Sequence, residues 1–126
     1  MRIEIAKVFD VLVVRLDGDF VNEVALEKRI LGHVSKETPK VLINFDKVDY
    51  INSNCFRSLA RVYHKVLAID GDVRLCSLKQ NVRHLFQLAS IDRGFPIYCC
   101  EDEGVISFYS NFEHTNDFRS EIAYSS

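Results

Sequence analysis

Short β-rich runs and longer stretches of helical spacing alternate along the chain. The first two β-rich runs, residues 3–8 and 11–16, are separated only by Phe9 and Asp10, which predicts an antiparallel hairpin. Residues 40–45 form a nearly continuous apolar run, which is typical of a strand covered on both faces. Two further strands are predicted around Val73 and Leu75 and over residues 96–100.

Apolar residues three and four positions apart predict the first two helices. Asn22 is a candidate N-cap for a helix whose core-facing residues are Leu26, Ile30 and Val34. The second helix is predicted over residues 53–69. Gly71 lies just beyond its end, where a glycine commonly terminates a helix.

Signals at helix starts mark the remaining two helices. Ser77-Leu78-Lys79-Gln80 matches a capping box, in which the serine accepts from the glutamine N–H and the glutamine side chain bonds back. The apolar face that follows is Val82, Leu85, Phe86 and Ala89. Three carboxylates at residues 101–103 favour a fourth helix start, because they would lie at the positive end of the helix dipole. Its apolar face is predicted from Val105, Phe108, Tyr109 and Phe112.

The order of these elements, β, β, α, β, α, β, α, β, α, indicates an α/β fold. It predicts a mixed β-sheet with a parallel centre and about four helices. A chain of 126 residues has the length of one such domain. We predict a single domain over residues 1–112, followed by a polar, flexible tail over residues 113–126.

Composition and charge narrow the classes of function. Hydrophobic residues make up 48% and charged residues 27% of the chain, a mixture that folded water-soluble domains have and disordered chains lack. The formal net charge of -2 offers no strong positive field for nucleic acid or an anionic membrane. Charges interrupt the apolar runs near the amino terminus, and no run is long enough to span a bilayer. We therefore expect a cytoplasmic protein that neither binds nucleic acid directly nor inserts into a membrane.

Motifs for cofactors, metals and catalysis are absent from the sequence. The glycines form no phosphate-binding loop, and the histidines and cysteines have no metal-ligand spacing. Ser53 and Cys55 would lie about 16 and 14 Å from His64 along a helix, too far to form a nucleophile and base. No enzyme activity, cofactor or metal is expected. The four cysteines are predicted to be reduced and mostly buried, with Cys99 and Cys100 on opposite faces of a strand.

The segment from Asn44 to Phe56 combines a buried strand, a loop and a hydroxyl at a helix start. It resembles the STAS domain of bacterial anti-sigma factor antagonists, in which a strand ends in Asn or Asp and Asp-Ser-Ser-Gly opens the second helix. Residues 16–20 and 77–89 also resemble motifs of that family, and the likeness covers about residues 8 to 110. Within the central motif, Asn52 stands at the aspartate, Ser53 at the phosphorylated serine, Asn54 at the second serine and Cys55 at the glycine.

The resemblance implies a protein-protein switch. In that family a serine kinase, itself an anti-sigma factor, binds the unmodified protein, phosphorylates the serine and then lets go. Ser53 is therefore the implied phosphorylation site, and Arg57, one helical turn later, is within reach of a phosphate. A basic stripe of Arg57, Arg61 and Lys65 would meet an acidic partner surface. The predicted partner-binding residues are Asn52, Asn54, Cys55, Arg57, Arg61 and Asp19.

Three alternatives remain open at this point. Ser53 could be an ordinary N-cap, a role that the neighbouring Asn52 could also fill. Because Asn52 lacks the family's carboxylate and Cys55 replaces its glycine, the chain could be a module that is never phosphorylated. Such a module would be a subunit of a larger signalling complex or of a membrane ATPase transporter. Cys55 could also be a redox sensor, since a position near a helix start favours the reactive thiolate.

Overall fold

A computed structural model describes residues 2–19, 23–88 and 95–109 of the chain. A five-stranded sheet lies at its centre, in the order β1-β2-β3-β4-β5. β1 is antiparallel to β2, and every other neighbouring pair is parallel, so the predicted hairpin and parallel centre are confirmed. The strands are β1 (Arg2–Val8), β2 (Val11–Asp17), β3 (Lys40–Lys47), β4 (Asp72–Cys76) and β5 (Ile97–Tyr98).

Four helices in the described part of the chain cover both faces of this sheet. On one face, apolar residues of α1, α2 and α3 form a core with alternate residues of β2 and β3, such as Val14 and Ile43. On the other face, Val105 of α4 packs with the intervening strand residues, such as Val13 and Leu42. This double cover explains the continuous apolar run in β3. The helices are α1 (Glu23–Leu31), α2 (Ser53–Leu67), α3 (Gln80–Leu88) and α4 (Glu101–Ser107).

Three phenylalanines join β3, α2 and α3 in the larger core. The ring of Phe86 lies 5.8 Å from that of Phe45 and 5.1 Å from that of Phe56, edge to face in both pairs. Phe45 and Phe86 are fully buried. Since Phe56 belongs to the first turn of α2, this aromatic cluster fixes where α2 begins.

The predicted capping box at Ser77 is not formed. α3 begins at Gln80, two residues after Leu78, the first helical residue that the capping box predicts. Ser77 has a φ of 64°, whereas an N-cap residue has extended backbone. The Ser77 N–H instead donates to the carbonyl of Tyr98, so pairing with the β5 segment has overridden the local capping signal.

The end of α2 also differs from its prediction. The left-handed residue there is Asp70, with a φ of 63°, rather than Gly71. Gly71 is needed for space, because a Cβ at this position would lie 2.2 Å from the carbonyl oxygen of Pro39. Close approach between the end of α2 and the start of β3 therefore requires glycine here.

Other predictions about helix ends are only partly tested. α1 ends at Leu31, so Val34 follows the helix, although it still packs against the core. Asn22, Ala89, Phe112 and the predicted tail over residues 113–126 lie outside the described residues. Over the described ranges, no helix combines the length and the apolar character that a membrane span requires.

A polar network ties β2 and β3 to the start of α4. Arg15 donates to both carboxylate oxygens of Glu101, at 2.9 and 2.8 Å. Asn44 also donates to Glu101 and accepts from the N–H of Asp46. The hydrogen bond from Arg15 lowers the pKa of Glu101, although burial acts in the opposite direction. Asn44 lies within β3, so its side chain ties the last part of this strand to α4.

Replacing Glu101 by glutamine is expected to lower the free energy of unfolding by about 1 kcal/mol at neutral pH. The substitution removes the charge from a two-point Arg-carboxylate contact, and partial exposure keeps the loss at the low end for charged hydrogen bonds. Denaturation by urea would measure the loss. Asp102→Asn is the matched control, since it removes an exposed charge from the same turn of α4. Equal losses in the two variants would mean that the helix dipole, and not Arg15, is the source.

Candidate functional site

The loop between β3 and α2 is anchored by two apolar side chains. Val48 and Ile51 are buried in the core, while Asp49 and Tyr50 between them are exposed. This alternation holds the loop against the protein and presents its polar residues to solvent. It delivers the chain to the start of α2 at a defined position.

Asn52 caps the first turn of α2. Its backbone is extended, with φ -102° and ψ 171°, and its Oδ1 accepts from the N–H of Cys55 at 3.2 Å. The thiol of Cys55 donates to the same oxygen at 3.1 Å. The alternative in which Ser53 is the N-cap is therefore wrong, because Asn52 has that role.

Ser53 is consequently the first residue within the helix. Its side chain is exposed, as is that of Asn54. The first turn of α2 carries no acidic residue, so an anion attached there would meet no like charge within that turn. The arrangement leaves a hydroxyl in solvent at the positive end of a 15-residue helix.

The basic stripe on α2 is divided between two roles. Arg61 Nε lies 2.9 Å and Lys65 Nζ 3.6 Å from carboxylate oxygens of Glu27 on α1, so both residues hold α1 against α2. Arg57 is exposed, and no described carboxylate lies within ion-pair distance of it. Of the three stripe residues, Arg57 is the one whose charge is left for a ligand near Ser53.

Asp19 lies close to the end of β3. The neighbouring Gly18 N–H donates to the carbonyl of Lys47 at the end of β3. The end of β3 leads directly into the loop before Ser53, and Asp19 itself is exposed. Its assignment to partner binding stays a prediction.

Cys55 is not on the surface. Its side chain is fully buried in the larger core cluster, because the third residue of α2 faces the sheet. The prediction that Cys55 is a partner-binding residue is therefore wrong, because no partner can contact its side chain in the folded protein. The prediction of mostly buried cysteines holds for Cys55 and Cys76 but fails for Cys99 and Cys100, which are exposed.

Two of the four thiols are expected to react with a thiol reagent in the folded protein. Cys100 should be modified promptly, and Cys99 more slowly, because its hydrogen bond to Glu103 raises its pKa to about 11. Cys55 and Cys76 should react at least about 100-fold more slowly than Cys100, through local opening. Burial also raises the pKa of Cys76 to about 12. A thiol count with a chromogenic disulfide, before and after unfolding, measures this. Burial of Cys55 disfavours the redox-sensor alternative, and prompt modification of Cys55 would support that alternative instead.

The contacts between α3 and the loop before Ser53 were not predicted from the sequence. Lys79 Nζ lies 2.6 Å from Asp49 Oδ1, and Asn81 donates to the Asp49 carbonyl at 2.7 Å. These residues are about 30 positions apart and share no motif, so only the fold shows that they meet. With the half-exposed Tyr50, they extend the exposed surface beside Ser53.

The fold and this helix start define a family. The STAS domain family model matches residues 2–104, and the chain belongs to that family. A relative from Bordetella bronchiseptica, BtrV, is named as a candidate anti-sigma factor antagonist. It is 26% identical over 110 residues, which are 86% of this chain and 95% of the relative.

Solved structures with low sequence identity show the same fold. A crystal structure of a candidate anti-sigma factor antagonist from Thermotoga maritima has a TM-score of 0.79 at 18% identity, covering 86% of this chain and 95% of that one. The Bacillus cell fate determinant SpoIIAA, in its phosphorylated form, has a TM-score of 0.67 at 15% identity, covering 85% and 99%. The predicted STAS fold is thereby confirmed.

Proposed function

We propose that this chain is an anti-sigma factor antagonist whose binding to a kinase-type anti-sigma partner is switched by phosphorylation at Ser53. The observation that carries the proposal is the exposed Ser53 hydroxyl, at a helix start that Asn52 already caps. Phosphorylating this serine removes no hydrogen bond that the helix needs. The names of BtrV and of phosphorylated SpoIIAA support the same role.

A phosphate on Ser53 would be stabilised where it is added. It brings about -1.5 to -2 charges to a helix N-terminus, where unpaired N–H groups and the helix dipole favour anions. Asn52 takes the N–H of Cys55, which leaves those of Ser53 and Asn54 to face the phosphate. Arg57, at i+4, adds a charged donor on the same side of the helix. The fold would therefore persist after modification.

The same phosphate would weaken binding to the partner. Transfer requires Ser53 Oγ to attack the γ-phosphorus of ATP while the bond to the bridging oxygen breaks, so that ADP is the leaving group. The hydroxyl proton passes to a base or solvent. The new phosphoserine then lies beside the anionic ADP in the partner's site. Repulsion between neighbouring like charges costs several kcal/mol. The affinity for the partner is therefore expected to fall by about 30-fold or more.

Affinity capture with three baits tests the switch. Wild type and Ser53→Ala are expected to retain an ATP-binding kinase from a lysate of the native organism, and Ser53→Asp to lose it. Mass spectrometry would identify the captured proteins. If all three baits retain one set of partners equally, Ser53 has no switching role. The chain would then be a constitutive module of a larger complex.

Arg57 is expected to pair with the phosphate. Phosphorus NMR of the phosphorylated protein should show a second phosphate pKa below the usual value of about 6, because Arg57 stabilises the dianion. Arg57→Ala should bring that pKa back towards the usual value. Arg61→Ala is the control, since Arg61 is bound to Glu27. An unchanged phosphate pKa in Arg57→Ala would show that Arg57 does not pair with the phosphate.

A further inference from the structure

Two exposed cysteines and a glutamate meet where β5 joins α4. Cys99 and Cys100 follow β5, and Glu103 belongs to the first turn of α4. One ligand atom from each, two sulfurs and a carboxylate oxygen, all lie within 4.8 Å of one another. Cys99 Sγ is 3.0 Å from Glu103 Oε1. On a strand the two cysteines would lie on opposite faces, as predicted above, but this prediction is wrong, because β5 ends at Tyr98 and the chain bends there.

The donors are those of a zinc-type site. Zn²⁺ binds thiolate sulfur at about 2.3 Å and carboxylate oxygen at about 2.0 to 2.2 Å, usually with tetrahedral geometry. Tetrahedral geometry places such ligand atoms about 3.5 to 3.8 Å apart. The three ligand atoms lie within 4.8 Å of one another. Side-chain rotations that move each atom by about 1 Å would bring them to these distances. Two sulfur donors disfavour Mg²⁺ and Ca²⁺, which prefer oxygen.

Glu103 and the two exposed cysteines are available to a ligand, while comparable groups nearby are not. Glu101, at the start of α4, accepts hydrogen bonds from Arg15 and Asn44. Glu103, two residues later, accepts one from the thiol of Cys99 and has no other partner among the described residues. The other two cysteines are buried and unavailable to a metal from solvent. The soft donors of the surface thus converge at one place.

We propose that Cys99, Cys100 and Glu103 bind a thiophilic divalent cation of the Zn²⁺ type, with the fourth position open to water. On binding, the thiol protons pass to solvent and the thiolates become ligands. The metal would join the end of β5 to the first turn of α4. This site lies apart from the start of α2 and does not depend on the function proposed for Ser53.

Titration of the reduced protein with Co²⁺ alone tests the site. Thiolate ligation is expected to give sulfur-to-cobalt charge-transfer bands that saturate at one ion per monomer, and Zn²⁺ should displace the cobalt while Mg²⁺ does not. Cys99→Ser, Cys100→Ser and Glu103→Gln should each weaken binding about tenfold or more. Asp102→Asn is the matched control on the same turn, and its affinity should match that of wild type.

Two results would overturn the site. One is a Co²⁺ affinity in Cys99→Ser and Cys100→Ser equal to that of wild type, which would mean that the metal binds elsewhere. The other is saturation at half an ion per chain together with dimer formation in sedimentation, which would show a bridge between copies instead of a site within one chain. Circular dichroism of each variant confirms the fold, and because all three side chains are exposed, the substitutions should leave it intact.

Discussion

Replacing Phe86 by alanine is expected to lower the free energy of unfolding by about 3 to 5 kcal/mol. Phe86 is fully buried, and the truncation leaves a cavity between α3 and the sheet. It also removes two edge-to-face contacts, with Phe45 and Phe56, each worth about 0.5 to 1.5 kcal/mol beyond buried area. Urea denaturation followed by circular dichroism would measure the loss.

The same substitution should loosen the functional site. Phe56 lies in the first turn of α2, three residues after Ser53, and loses its aromatic neighbour in the variant. Amide exchange of the first turn of α2 should become faster. Leu88→Ala is the control on the same helix, because Leu88 is 69% exposed and its truncation should cost little. A loss of less than about 1 kcal/mol for Phe86→Ala would contradict the described core.

Gly71→Ala is expected to destabilise the protein by about 2 to 3 kcal/mol. The added Cβ would lie 2.2 Å from the carbonyl oxygen of Pro39 and 2.6 Å from Val66 Cγ1. Backbone hydrogen bonds on both sides of Gly71, to Val66 and to Pro39, hold this segment in place. The clash therefore cannot be relieved without breaking them.

Asp70→Gly is the control that distinguishes a steric clash at Gly71 from backbone strain at the neighbouring residue. Asp70 has a φ of 63°, a conformation that glycine adopts without steric strain, and this gain offsets the larger backbone entropy that glycine loses on folding. This variant should be as stable as wild type to within about 0.5 kcal/mol, measured in the same denaturation series. If Gly71→Ala were neutral and Asp70→Gly costly, the described end of α2 would be wrong.

Periodicity was sufficient for the larger elements of the fold. The continuous apolar run of β3 and the helical spacing of α2 each reflect burial on particular faces, and burial is what hydrophobic pattern reports. Short-range signals were less reliable. The capping box at Ser77 does not form, because the Ser77 N–H donates to the carbonyl of Tyr98. Tyr98 is 21 positions away, and no local pattern reveals this partner.

The candidate site was predicted in position but not in detail. The motif placed Ser53 at the start of α2, and the structure adds that Asn52 is the cap. The burial of Cys55 could have been anticipated from its helical spacing with Leu59, four residues later, which is also buried. The binding of Arg61 by Glu27 and of Lys79 by Asp49 depends on tertiary packing. These pairs lack any sequence signal.

Phosphorylation of this chain by its partner is tested by the site and stoichiometry of phosphate transfer in a purified system. The purified chain would be incubated with the partner that wild type captures and with ATP, then analysed by intact and peptide mass spectrometry. We expect one phosphate per chain, located on Ser53, none on Ser53→Ala, and release of the partner as the phosphate accumulates. Absence of transfer, or transfer to another residue with the complex intact, would contradict this expectation.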